Sequence, residues 1–154
     1  MVDIAFTSSI PVEHRDEVER MLFFNGNQAK VVDSVELVTE RYGMPRLRVV
    51  ADRLRITMES HEPQTLFAVA RNGERTTPIG GAVYLREGDT LQVLFVALHE
   101  DYCTDGEHGD VGLLRRMVAE LTGIARRVRG VAALSIYFGR ATPTRIVIRR
   151  PARP

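Results

Sequence analysis

Apolar residues recur at two different periods along this chain, and the change from one to the other divides it. Residues 2–7 can alternate as a short first strand. From residue 8 the spacing is helical. Ser8-Ser9-Ile10-Pro11 reads as a helix start, with Glu13, Asp16 and Glu17 at the positive end of the dipole and Val18, Met21 and Leu22 on the buried side. Asn25-Gly26-Asn27 ends that helix. A second is expected over residues 28–42, with Val31, Val32, Val35 and Val38 on one stripe and Gly43 and Pro45 as its stop. Residues 46–60 fit both periods. Leu47, Val50, Leu54 and Met58 fall at helical spacing, whereas Leu54, Ile56 and Met58 alternate like a strand; a helix is favoured.

Beyond residue 64 the pattern becomes strand-like. Residues 65–70, 79–85 and 90–98 are apolar runs separated by Asn72-Gly73 and Glu87-Gly88-Asp89, which predicts three antiparallel strands in succession. A polar loop, residues 99–110, leads into the clearest helix, residues 112–127. Its apolar face is Leu113, Leu114, Met117, Val118, Leu121, Ile124 and Ala125. Gly130 stops it. Residues 131–138 are apolar throughout, as in a strand buried on both faces, and residues 144–150 leave room for one more strand. A helical connection between the runs 90–98 and 131–138 predicts that they are parallel neighbours.

Composition narrows the class. At 154 residues the chain suits one domain, 1–154, with a single core. The net charge of +1 neither demands nor excludes a nucleic-acid partner. Of 21 basic residues only Lys30 is lysine, which reads as coding preference. A single cysteine, Cys103, excludes an internal disulfide and suits a reducing, cytoplasmic setting. There is no secretory pattern and no apolar run approaching ~18 residues, so no membrane partner is expected.

The order strand, helices, three-stranded meander, helix, strand resembles the GNAT acyltransferase superfamily. The segments behind this are Thr65-Leu-Phe-Ala-Val-Ala-Arg-Asn-Gly73, Pro78-Ile-Gly-Gly-Ala-Val-Tyr-Leu85, Leu94-Phe-Val-Ala-Leu-His-Glu-Asp-Tyr102 and Gly112-Leu-Leu-Arg-Arg-Met-Val-Ala-Glu-Leu121. The resemblance covers roughly half the chain, about residues 65–138. It implies an α/β (α+β) fold with a mixed, mainly antiparallel sheet flanked by helices. It also implies transfer of an acetyl or other acyl group from acyl-CoA to a small-molecule or protein amine. The family cradles the CoA pyrophosphate on an Arg/Gln-x-x-Gly-x-Gly/Ala loop at the helix N-terminus. Here Asp105-Gly-Glu-His-Gly-Asp110 stands in that place, so the basic residue becomes Asp105, a glycine becomes His108 and the last small residue becomes Asp110. Two carboxylates near a pyrophosphate cost about one to several kcal/mol, so weak or absent CoA binding is expected. The alternative reading is a non-catalytic GNAT-shaped binding or interaction protein that has lost CoA.

Candidate chemistry follows from the same frame. By the resemblance, backbone amides of Val96, Ala97 and Leu98 would take the pantetheine arm, and those of Gly109, Asp110, Val111 and Gly112 the phosphates. His99 or Glu100 would serve as base, directly or through water, and Tyr137 would protonate the leaving thiolate. His99, Cys103 and His108 have the donor atoms for a metal, but their spacing matches no standard motif, and no metal is expected. Asp110 is placed to cap the helix, and Asp105 and Glu107 read as solvated. His14 reads as packed against the first helix. Arg140, Arg145, Arg149, Arg150 and Arg153 read as a solvated tail; no aromatic residues interleave with them as a nucleic-acid platform requires. An open edge near residues 131–150 predicts a homodimer through that end of the sheet.

Overall fold

Alternation of buried and exposed side chains sets most of the architecture. The computed structural model describes residues 3–23, 38–59, 61–137 and 142–150. The strands are β1 (Asp3–Thr7), β2 (Ile10–Pro11), β3 (Pro45–Val50), β4 (Arg53–Met58), β5 (Gln64–Asn72), β6 (Arg75–Glu87), β7 (Thr90–Leu98), β8 (Ala133–Ile136) and β9 (Thr144–Val147). Helix α1 is Arg15–Phe23 and α2 is Leu113–Arg127, and residues 38–42 are also helical. The fold is α+β: a six-stranded mixed sheet in the order β1-β5-β6-β7-β8-β9, with a small sheet β2-β4-β3 beside it. The meander β5-β6-β7 is antiparallel. The β7–β8 pair is parallel, as a helical crossover requires.

The sheet is covered on both faces. On one, Leu113, Met117, Leu121 and Ala125 of α2 pack over Leu66, Ala68, Val93, Val96, Leu134 and Ile136. On the other, Val18, Met21 and Leu22 of α1 meet Phe67, Val83 and Leu94, joined by Leu54, Ile56 and Met58 from the small sheet. Each fully buried side chain of this size contributes about 1.5–3 kcal/mol. Within the helix face read from sequence, Met117 and Leu121 are fully buried, while Leu114 and Val118 are only partly covered. Thr65 ties the two sheets together: its hydroxyl accepts from Ile56 N at 3.1 Å and lies 3.3 Å from Ile56 O.

Two bulges adjust the sheet. Ala68 pairs with Gly80 and Val69 with Pro78, leaving Ile79 extra in β6. Val83 pairs with Phe95 and Tyr84 with Val93, leaving Leu94 extra in β7. Leu94 and Phe95 therefore both pack on the α1 side, between Val93 and Val96 on the α2 side.

The structure corrects four sequence expectations. Within residues 46–59 the chain forms the hairpin β3–β4 and no helix, and residue 60 lies outside the described residues. Leu54, Ile56 and Met58 are buried at every second position, and Ala51 and Asp52 turn the chain with φ of 50° and 60°. Val50, part of the helical reading, is exposed. The first helix starts later than Ser8–Pro11, because Ile10 and Pro11 pair with Leu54 and Arg53 and a 3₁₀ turn precedes Arg15. Strand β8 starts later than residue 131 and ends before Tyr137: Ala132 N donates to Asp89 O ahead of it, and Tyr137 N donates to Val93 O after it. Strand β9, the further strand expected over 144–150, pairs with β8 within the chain and is the edge strand at that end among the described strands. Arg150 is also no part of a solvated tail. Its guanidinium donates to Val131 O at 2.7 Å and Val128 O at 2.8 Å, capping the end of α2.

Gly43 N donates to Thr39 O at 2.9 Å with φ +87°, ending residues 38–42 as expected. The stops at Asn25–Asn27 and the stripe Val31, Val32 and Val35 lie outside the described residues, as do Phe138, Arg140 and Arg153. No helix among the described residues is long and apolar enough to cross a membrane.

Candidate functional site

The fork between β7 and β8 organises the candidate residues. The two strands pair from Thr90–Ala133 to Val93–Ile136. The bulge at Leu94 follows at once, and β7 continues to Leu98 beside β6 alone among the described strands. Val96, Ala97 and Leu98 are buried on this stretch, at 5%, 6% and 8% exposure.

Beyond Leu98 the chain folds into a compact loop. His99 N donates to Ile79 O, which extends the ladder by one residue. His99 then caps a 3₁₀ turn, Glu100–Tyr102: its Nδ1 accepts from Asp101 N at 3.1 Å. In the neutral ring that bond leaves the proton on Nε2. Tyr102 is buried in contact with two imidazoles, with ring centroids 6.3 Å from His99 and 5.0 Å from His108. Burial raises its pKa, and Asp101 adds to the shift. Among the described residues no group of three or more His, Cys, Asp or Glu converges on a metal position.

Two glycines let the loop close on itself. A Cβ on Gly106 would lie 2.3 Å from Glu100 O, and one on Gly109 would lie 2.4 Å from Thr104 O. His108 N donates to Asp101 O at 2.6 Å and Gly106 N to Cys103 O at 2.8 Å across the same closure. Asp110 falls in a second 3₁₀ turn, Gly109–Val111, and does not cap α2. The N-cap is Gly112, left-handed at φ 67°, with no side-chain cap bond. The amides of Leu113, Leu114 and Arg115 have no partner within the helix by its geometry. The first turn carries Arg115 and Arg116 and no acid, while Glu100, Asp101, Asp105, Glu107 and Asp110 are exposed on the loop.

Tyr137 lies at the other end of this stretch. It is 7% exposed, and its N–H bonds to Val93 O at 3.0 Å. Six residues of β7 separate Val93 from His99, about 20 Å at strand spacing. The structure therefore keeps Tyr137 apart from His99 and Glu100. Instead it groups Tyr137 with residues that sequence reasoning did not single out. The Tyr42 hydroxyl donates to Glu87 Oε1, and Arg41 Nη2 pairs with Glu87 Oε2 at 2.7 Å. Arg41 also stacks over the Tyr42 ring, and His61 meets that ring edge-on at 5.3 Å. Tyr42 is 1% exposed; burial raises its pKa most, followed by the bond to Glu87 and that group's charge, with Tyr137 adding to the shift. Gln92 turns its amide toward the same face by alternation, and its Oε1 is buried without a partner among the described residues. No local motif could have revealed this corner, since Tyr42 and Glu87 stand 45 residues apart in sequence. His14 is mostly covered, with Nδ1 3.3 Å from Glu17 Oε1.

Comparison with known family models, with curated proteins and with solved structures returned no match.

Proposed function

We propose that this chain is a GNAT-type domain that binds acyl-CoA along β7 and passes the acyl group to an amine. The observation that carries the reading is the fork. Two parallel strands joined by a helix separate after four paired residues, and a bulge turns the longer strand away just where its partner ends. That supports a pantetheine arm lying against the backbone of Val96, Ala97 and Leu98, with the thioester toward Val93 and Tyr137. Phosphates would then meet the N-terminus of α2; of the amides from Gly109 to Gly112 expected to hold them, those of Gly109, Val111 and Gly112 already donate to Gly106 O, His108 O and Gly109 O within the loop. Arg115 and Arg116 support this, because they stand where a helix otherwise prefers acids. On this reading Tyr137 is the acid for the leaving thiolate. His99 and Glu100 lie at the phosphate end, so one reaction centre does not use all three.

A second reading, a GNAT-shaped binding protein without CoA, is favoured by the loop. Gly106 and Gly109 are filled by the loop's own carbonyls, and five exposed acids surround the helix end. Calorimetric titration with CoA and acetyl-CoA separates the two. The first reading expects binding weaker than micromolar in the wild-type chain, tightening about tenfold in Asp110→Gly as one charge is removed. Absence of binding in both proteins selects the second. Submicromolar binding by the wild-type chain would show that the acids point away from the phosphates.

A further inference from the structure

The small sheet ends in an open strand that nothing in the fork reading uses. In the order β2-β4-β3, β3 is the outer strand among the described residues. Met44, Val49 and Val50, at 51%, 42% and 44% exposure, are three of the four exposed large hydrophobics among the described residues, and all lie on or beside it. The two-residue turn at Ala51-Asp52 fixes which backbone groups face out. Val50, Arg48 and Arg46 exchange hydrogen bonds with β4, so Leu47 and Val49 direct their N–H and C=O groups away from it.

The two faces of this edge differ in chemistry. On the outer face Arg46 and Arg48 are exposed at every second position, and Arg48 stands directly across from Arg55. Facing like charges destabilise a hairpin unless an anion lies between them. Arg48 has one acidic neighbour, Glu62 at 3.6 Å and 89% exposed, a pair worth little at such a surface. Arg53 is engaged elsewhere, donating to Ser9 Oγ at 2.6 Å. Toward the inner face a groove of about 370 Å³ runs between α1 (Arg15, Glu19, Phe23) and the chain entering β3 (Met44, Pro45, Leu47), with Arg46 at its border. Arg15 and Glu19 pair with each other at 3.0 Å along its rim, leaving its floor apolar.

We propose that β3 is a docking edge for an extended segment of a partner protein in which acidic and apolar residues alternate. Such a segment adds as a further antiparallel strand, bonding to Leu47 and Val49. Its acids then stand opposite Arg46 and Arg48, and its alternate apolar side chains enter the groove beside Phe23, Met44 and Leu47. A second copy of the chain fits worse, because an antiparallel copy centred on Leu47 sets Arg46 against the copy's Arg48. Nucleic acid fits worse too, since the outer face of β3 and β4 carries no aromatic ring for a base to stack on.

The test uses the full chain and a labelled six-residue peptide alternating glutamate and valine, followed by fluorescence anisotropy. Binding is expected, with loss of at least about tenfold in the double variant Arg46→Glu, Arg48→Glu. Val49→Pro removes one outward N–H and no bond to β4, and is expected to abolish binding. Amide exchange on the unmutated protein reads the same contact: Leu47 and Val49 become protected when the peptide is added. The proposal is overturned by absence of binding, by binding without that protection, by equal affinity for a lysine–valine peptide or a uridine oligonucleotide, or by self-association of the chain through β3 in sedimentation.

Discussion

Two glycine-to-alanine substitutions of opposite expected sign test how the loop before α2 is built. A Cβ at position 106 would sit 2.3 Å from Glu100 O and 2.7 Å from both C and O of Asp101, all backbone atoms that cannot swing aside. Relief needs a backbone shift of about 1 Å, in the range where overpacking costs roughly 1–3 kcal/mol. The other escape is to open the loop. That sacrifices His108 N–Asp101 O and Gly106 N–Cys103 O, at about 0.5–1.5 kcal/mol each, which reaches the same total. At Gly123, inside α2, a Cβ meets only Arg127 Nη1 at 3.6 Å, so alanine should stabilise by about 0.5–1 kcal/mol through backbone entropy. Urea unfolding should therefore separate Gly106→Ala from Gly123→Ala by about 1.5–4 kcal/mol, with the parent between them. If the loop opens locally, the His108 amide should exchange about 10–100-fold faster in Gly106→Ala while the β5–β7 amides stay unchanged. A Gly106→Ala protein as stable as its parent, with His108 still protected, would refute the closed loop.

Leu121→Ala should cost about 2–5 kcal/mol in denaturant unfolding, because Leu121 is 0% exposed against the β7 and β8 side chains. A cost near zero would mean that the wrong face of α2 has been assigned to the core. Tyr42→Phe should cost about 1 kcal/mol at neutral pH, the hydroxyl's bond to a carboxylate discounted for the one-third exposure of Glu87. Its pH dependence has a definite sign. The folded state holds the Tyr42 proton more tightly than the unfolded chain, whose tyrosines titrate near ~10. The contribution is therefore present below pH ~10 and is lost as pH rises beyond it. Tyr84 and Tyr102 are shifted in the same direction, chiefly by burial. Thermal unfolding between pH 8 and 11 should show stability falling above ~10, less steeply in Tyr42→Phe; a rise with pH would contradict the buried phenol.

Local pattern was enough wherever one period dominated. The runs at β5, β6 and β7 were bounded by Asn72-Gly73 and Gly88-Asp89, so a one-residue slip would have exposed a whole face; β7 was placed at Thr90–Leu98 to the residue. The period of α2 over four turns, and the apolar run at β8 after a helix, likewise implied the parallel pair and the mixed sheet. The first turn of α1 and the segment 46–60 were misread because short apolar runs satisfy both periods. What decided between them was pairing: Ile10 with Leu54, and Leu47 with Ile56. Only the tertiary structure could bring Tyr42, Glu87 and Tyr137 to one corner or turn Arg150 back onto α2, since these contacts join residues tens of positions apart. The same holds for Gly106 and Gly109. The resemblance placed Gly109 among the phosphate-binding amides and gave Gly106 no role, but the space beside a glycine is set by whichever backbone folds against it, and here that is the loop's own.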